Sequence, residues 1–356
     1  MIKMVLALVI GDLHFKTDNR KYTDILAEKI LSLVKETNRK FDFCVLLGDI
    51  LDKHEKIHPV PRFHSCELIV KLSELLPTYV LVGNHDRRSN NDYQSVYHPF
   101  THMNYPNLTI IDHAQSHIIN NLLFTFVPYV PNGMFRSALN SITGEFKWKD
   151  SVAIFAHQEF IGAQMGAIKS ITGDPWYKKY PPVFSGHIHD QQDLKDINVQ
   201  YVGMPYKLTY GESESKALMF INFDPETKSK YTTERHYLNL PLKQLIRVNY
   251  DELDDLFSDT NLISTFDFSD LKIVISCTIA EFKSLDKNRT LISWKKKGAK
   301  IEHRASINCT THDKEDIKLG AKVTYVGFAE TLYKLIKDDT KMISIYKKYI
   351  GDIPKL

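Results

Sequence analysis

Residues 5–14 read VLALVIGDLH. An unbroken run of six apolar residues has the length and character of a strand buried on both faces. At its C-terminal end, Gly11-Asp12-Leu13-His14 sets a carboxylate and an imidazole side by side. The preceding Met1–Met4 and the apolar run superficially resemble a signal peptide. The run is short, however, and no small-residue cleavage site follows. The arrangement of strand then polar motif recurs four times. Gly48-Asp49 follows Phe43–Leu47, and Gly83-Asn84-His85-Asp86 follows Tyr79–Val82. Ala156-His157 follows Val152–Phe155, and Gly186-His187-Ile188-His189 follows the run at Pro182–Phe184.

Between the first three runs lie helical patterns, Asp24–Lys35 with Ile25, Leu26, Ile30, Leu31 and Val34 on one face, and His64–Leu76. Strands alternating with amphipathic helices imply βαβ units and an at least partly parallel sheet. In such sheets the C-terminal strand ends converge on one crevice. Asp12, His14, Asp49, Asn84, His157, His187 and His189 are therefore expected to meet in space, with the preceding glycines allowing sharp turns. Seven N and O donors, two of them carboxylates, exceed what one zinc takes and suit two divalent ions roughly 3.5–4 Å apart. The absence of thiolate favours Mn²⁺, Fe or Zn²⁺. Gln200–Val202, Ala217–Phe223 and Lys230–His236 read as consecutive antiparallel strands of a second sheet.

The 356 residues, 43% hydrophobic and 25% charged, make an ordinary globular composition with room for two or three domains. Lys+Arg of 46 against Asp+Glu of 43 gives only +3, which excludes a highly basic coat protein and an acidic disordered chain. Of 15 histidines, 12 fall between His14 and His189. His98, His102, His113, His117, His236, His303 and His312 lack strand-end context and read as surface or packing residues. Cys44, Cys66, Cys277 and Cys309 show no CxxC spacing, so a reducing, intracellular compartment is expected and secretion is not. No run approaches a membrane span.

Composition shifts after Pro241. Residues 1–236 balance 26 bases against 26 acids, while 237–356 carry 20 against 17. The pattern of strand at Leu245–Tyr250, helix, strand at Leu271–Cys277, helix at Ile279–Lys297 and strand at Lys300–Asn308 reads as a small α+β unit. Phe328–Ile350 has helical apolar spacing among many lysines.

The five motifs together resemble the signature of the calcineurin-like metallophosphoesterase superfamily. The segment from Tyr201 to Glu212, with the strand Lys216–Asp224, is similar to the SbcD-type nuclease subunits of double-strand-break repair complexes, phage versions included. That resemblance implies a four-layer α/β/β/α sandwich over residues 1–240, a small α+β DNA-capping domain over 241–312, and a helical ATPase-docking segment over 313–356. It places Asp12, His14, Asp49 and His189 on one metal and Asp49, Asn84, His157 and His187 on the other. It gives His85 contact with the scissile phosphate or the departing oxygen, oriented by Asp86. The implied activity is a Mn²⁺-dependent DNA exonuclease or endonuclease of repair, recombination or replication. The alternative is a phosphomonoesterase or small-molecule phosphodiesterase.

The resemblance also implies an SMC-like ABC ATPase partner, and the chain itself carries no GxxxxGK[ST] motif. It implies a homodimer through helices near His64–Leu76 and the segment after Asp86. Arg87 and Arg88, beside the His85 motif, and Lys295, Lys296 and Lys297 are the expected DNA contacts. Lys178 and Lys179, among Trp176, Tyr177 and Tyr180, are a weaker choice, since that loop reads as packed on the core. Where eukaryotic and archaeal members usually carry a histidine three residues after the bridging Asp, this chain has Asp52, as many bacterial and phage members do. His54 and His58 follow, read as capping the helix led by Pro59 rather than reaching the site.

Overall fold

The computed structural model describes residues 4–54, 56–166, 168–227, 230–305 and 342–343. The expected docking segment at 313–356 lies outside the described residues apart from Met342 and Ile343. In chain order the elements begin with β1 (Val5–Ile10), α1 (Arg20–Glu36), β2 (Phe43–Leu46), α2 (Pro59–Leu75), β3 (Thr78–Leu81), β4 (Leu108–Ile111), β5 (Gln115–Ile119) and β6 (Leu122–Val127). Then come α3 (Phe135–Asn140), β7 (Ala153–His157), the short pair β8 (Gln164–Met165) and β9 (Ile168–Lys169), β10 (Val183–Gly186), β11 (Gln192–Leu194), β12 (Val199–Tyr201), β13 (Leu218–Phe223) and β14 (Tyr231–His236).

Two six-stranded mixed sheets result, ordered β14-β13-β1-β2-β3-β4 and β11-β12-β10-β7-β6-β5. Period-two alternation sorts β1 between two cores. Leu6, Leu8 and Ile10 face α1 and α2, whereas Val5, Ala7 and Val9 face the second sheet. The inter-sheet core is aromatic, with Phe43, Phe124, Phe126, Phe155 and Phe184 all fully buried. A third cluster on the far side joins α3, Trp148 and Trp176 to β7 and β10. α2 starts with Pro59 at its first position and takes His58 as its N-cap, the His58 ring accepting from the Val60 amide at 3.2 Å.

Three of the strands differ in placement from expectation. Val199–Tyr201 runs parallel to β10 in the second sheet, whereas β13 and β14 extend the first. β13 lies antiparallel on β1, with Leu8 opposite Phe220. β13, apolar on both faces apart from Asn222, is buried between β1 and the edge strand β14. Strands β4 and β5, short and partly exposed, escaped the sequence reading.

Beyond them, β15 (Gln244–Asn249), α4 (Leu253–Ser258), α5 (Thr260–Ser264), β16 (Leu271–Cys277), α6 (Ile279–Leu285), α7 (Arg289–Lys296) and β17 (Lys300–Ala305) form a separate small sheet. Its strands are all parallel and joined through helices. It is thus a βαβαβ unit rather than the α+β arrangement expected. Leu271, Ile273, Ile275, Leu291 and Trp294 make its core. It meets the larger body where the Lys21 ammonium lies 3.1 Å from both Asp267 and Asp270, and where the Tyr22 hydroxyl donates to Asp270. No helix among the described residues is long and apolar enough to cross a membrane.

Candidate metal centre

β1, β2, β3, β7 and β10 end on the same edge of the two sheets, and the residues after them converge. His14 Nε2 and His189 Nε2 stand 3.1 Å apart. Asn84 Oδ1 lies 3.0 Å from both His157 Nε2 and His187 Nδ1, which are themselves 3.3 Å apart. Asp49 lies between the two groups, its Oδ2 being 3.3 Å from His157 Nε2 and 3.8 Å from His14 Nε2. Asp12, wholly buried, has Oδ2 4.0 Å from His189 Nε2. Three sets of converging donors emerge: Asp12, His14 and His189; His14, Asp49 and His85; and Asp49, His157 and His187.

The backbone is bent to achieve this. His14, Asp49 and His187 have φ of 45°, 46° and 76°, a region that side chains other than glycine's enter at a cost. The strand ends also pack so closely that a Cβ on Gly83 would fall 2.2 Å from the Asp49 amide nitrogen and Oδ1. One on Gly186 would fall 2.5 Å from Asp12 Oδ1.

The chemistry of the donor set fits divalent cations. The His157 ring donates from Nδ1 to the Leu47 carbonyl at 2.7 Å, which directs the Nε2 lone pair at Asn84 and Asp49 when the ring is neutral. His14 Nδ1 is buried without a hydrogen-bond partner, 3.6 Å from Asp52 Oδ1. His189 Nδ1 faces Glu212 Oε1 at 3.7 Å. Orienting groups on the outward nitrogens are the usual complement of metal-binding histidines. Burial pushes the His14 and His187 rings down to about 3, so both present lone pairs across the ordinary pH range. Burial opposes charge on Glu212 too, yet His189 and Lys216 hold its carboxyl down at about 2.

His157 is different. Burial disfavours its proton, but the adjacent Asp49 carboxylate outweighs that and raises the ring to about 9. A cation bound there must displace that proton. Affinity is therefore expected to rise about tenfold per pH unit between pH 6 and 9 and to flatten above, with about one proton released at pH 7. Calorimetric Mn²⁺ titrations in buffers of differing ionisation enthalpy check this; affinity independent of pH over that range contradicts it.

His85 stands at the mouth. Its side chain is 32% exposed against 2% for Asp49, its Nε2 lies 3.9 Å from Asp49 Oδ2, and its backbone amide donates to Asp49 Oδ1 at 2.8 Å. Asp86 does not orient it. The Asp86 carboxylate accepts backbone amides from Ile50, Leu51 and Gly83 at 3.2, 2.9 and 3.0 Å, stapling two strand-end loops together. The His85 Nδ1 instead donates to the Asp52 carbonyl at 2.7 Å. His54 reaches the site after all, stacked on the His85 ring at 4.6 Å with its Nδ1 on the Arg87 carbonyl, while His58 caps the helix.

Arg87 needs a second correction. It is 1% exposed, and its guanidinium donates to the Ser95 and Asp112 carbonyls at 2.7 and 2.9 Å, which directs it inward rather than toward solvent. Arg88 is exposed beside Asp92 at 3.5 Å. Lys295, Lys296 and Lys297 lie exposed at the end of α7, away from any donor cluster. Trp176 packs in the core against Phe135 and Trp148, as its loop was expected to do, leaving Tyr177, Lys178 and Lys179 outside. Glu212 and Asp52 were not read as site residues. The Gly211-Glu212 dipeptide and the substitution at position 52 were the only signals for them.

The profile of the calcineurin-like phosphoesterase family matches residues 6–191. The 244L protein of invertebrate iridescent virus 6, named for an inferred phosphoesterase activity, is 36% identical over 286 residues, covering 80% of this chain and 98% of its own length. A similarly named protein, 078R of invertebrate iridescent virus 3, is 34% identical over 80% of this chain and 79% of its own. Exonuclease subunit 1 of enterobacteria phage T4 is 25% identical over 264 residues, 70% of this chain and 74% of that protein.

Proposed function

The chain belongs to the calcineurin-like phosphoesterase family, and from that premise we propose that it is a two-metal DNA nuclease of the SbcD type. The observation that carries the metal chemistry is the convergence of three donor sets, in which Asp49 links His14 on one side to His157 and His187 on the other. In this reading Asp12, His14, Asp49 and His189 hold one ion, and Asp49, Asn84, His157 and His187 the other, Mn²⁺ being the preferred metal. When bound, such ions neutralise a phosphodiester's charge and lower the pKa of a water poised for in-line attack.

His85 does the remaining proton chemistry. With Nδ1 fixed on the Asp52 carbonyl, Nε2 is the nitrogen free to carry a proton to the departing oxygen. Stacked beneath it, His54 limits rotation of the ring. Glu212 and Asp52 face the outward nitrogens of His189 and His14 at 3.7 and 3.6 Å, and water is the simplest nucleophile, since no covalent one is suggested by the residues present.

DNA is favoured as substrate by the likeness to the phage exonuclease subunit, which extends over more residues than the phosphoesterase core alone occupies. That protein is named as a subunit, which supports an assembly here with an SMC-like ABC ATPase. A homodimer is supported by apolar side chains exposed where its helices are expected, with Phe63 on α2 64% exposed and Tyr97, after the His85 motif, 82%. Residues 241–312 would then cap the DNA.

The test is incubation of the purified chain with Mn²⁺ and end-labelled duplex and hairpin DNA, beside para-nitrophenyl phosphate. DNA cleavage is expected. Intact DNA with hydrolysed phosphate ester would instead mark a phosphomonoesterase.

A further inference from the structure

Outside the metal centre, positive charge is concentrated around Tyr210. The Lys243, Lys272 and Lys300 ammonium groups lie 5.8, 5.9 and 5.5 Å from the centre of its ring. They come from β15's approach, β16 and β17, that is, from the small sheet, whereas Tyr210 belongs to the loop that carries Glu212. Lys16 joins them from the other side. It lies 3.3 Å from Asp52 Oδ1, the carboxylate that faces His14. Lys16 and Lys300 are both close enough to Lys243 that, after burial, they help to lower its pKa.

This crowding works against the fold. Lys272 and Lys300 sit directly opposite one another on parallel neighbours, a like-charge pairing that destabilises a sheet. Glu302 relieves one of them at 2.6 Å from Lys272. The nearby carboxylates are otherwise engaged, Asp270 by Lys21 and Tyr22, and Glu212 by Lys216 and His189. Tyr210 softens the repulsion by presenting its ring to three cations. A cluster of like charge that links Asp52, beside the metal centre, to the small sheet is suited to a polyanion whose charges repeat along its length.

We propose that Lys243, Lys272 and Lys300, gathered around Tyr210, together with Lys16 beside Asp52, form a track for the sugar–phosphate backbone of DNA flanking the bond to be cut. This rests on the nuclease reading above and extends it. It assigns DNA binding to groups that the sequence scatters over nearly 300 positions rather than to Arg87 or to the end of α7.

The test is binding of a fluorescein-labelled DNA duplex to the full chain in EDTA, followed by anisotropy over a range of salt. The Lys272→Gln/Lys300→Gln pair is expected to weaken binding on the order of tenfold at low salt and to reduce the salt slope by roughly 1.8, at about 0.9 per phosphate contact. The Lys272→Arg/Lys300→Arg pair, keeping the charge, is expected to bind as the wild type does. A wild-type slope in the Gln pair, or an equal loss in the Arg pair, overturns the track. DNA cleavage by the Gln pair at wild-type kcat/KM overturns it too, leaving the nuclease reading intact. Wild-type protein that binds with the expected slope but cuts no DNA with Mn²⁺ supports the track and overturns the nuclease reading.

Discussion

Asp49→Asn is expected to lower phosphodiester hydrolysis by about 10³-fold or more and to empty both metal positions rather than one. Asp49 is the donor that links the two sides of the site, with Oδ2 3.3 Å from His157 Nε2 on one side and 3.8 Å from His14 Nε2 on the other. Asparagine keeps the volume but loses the charge. In the 2% exposed setting of Asp49, the amide NH₂ also turns a donor toward converging lone pairs. The His85 amide, which donates to Oδ1, can still be accepted by the Asn carbonyl, so the fold should survive. Losing His189 should by contrast disturb one position only. Metal content by mass spectrometry and turnover of bis(para-nitrophenyl) phosphate decide the matter. An Asn variant that retains both ions and activity within tenfold defeats the shared-ligand reading.

His85→Ala is expected to behave in the opposite way: both ions retained, and DNA hydrolysis reduced by about 10²- to 10⁴-fold. The His85 ring is within reach of the His14 and Asp49 donors, so geometry alone allows it to be a ligand. Its exposure and its fixed Nδ1 argue for the proton-carrying role instead. The two roles separate by leaving group. Nitrophenolate departs without a proton, so a lost acid spares bis(para-nitrophenyl) phosphate and penalises DNA, whose departing alkoxide needs one. Equal losses on both substrates, with an ion missing, would make His85 a ligand.

What could be read from the sequence was set by local chemistry. β1 and β6 are legible because β1 is an unbroken apolar run and β6 one interrupted only by Thr125, each between turn residues. The seven donors were legible because each directly follows such a run, so strand direction alone gathers them. Partners across space were not legible. The run at Leu218–Phe223 pairs with its neighbour β14 as its sequence suggests, but nothing local shows that its other edge returns to β1. Arg87 has the composition of a ligand contact, yet its guanidinium is directed inward to two carbonyls. Asp86 was read from its position next to His85, whereas three amides from two loops claim it. The three lysines around Tyr210 come from separate segments, and no local pattern predicts their meeting.

The left-handed conformations of His14, Asp49 and His187 have an evolutionary consequence. Each costs about 1–3 kcal/mol that glycine or asparagine would largely avoid. Selection for folding alone would therefore replace these three positions before the apolar strands that precede them. A descendant of this chain that had abandoned hydrolysis while keeping its architecture would carry a recognisable scar: intact strands, with glycine or asparagine at the ends of β1, β2 and β10. Histidine and aspartate at these three positions, in place of the less strained residues, are what the proposed ion binding requires.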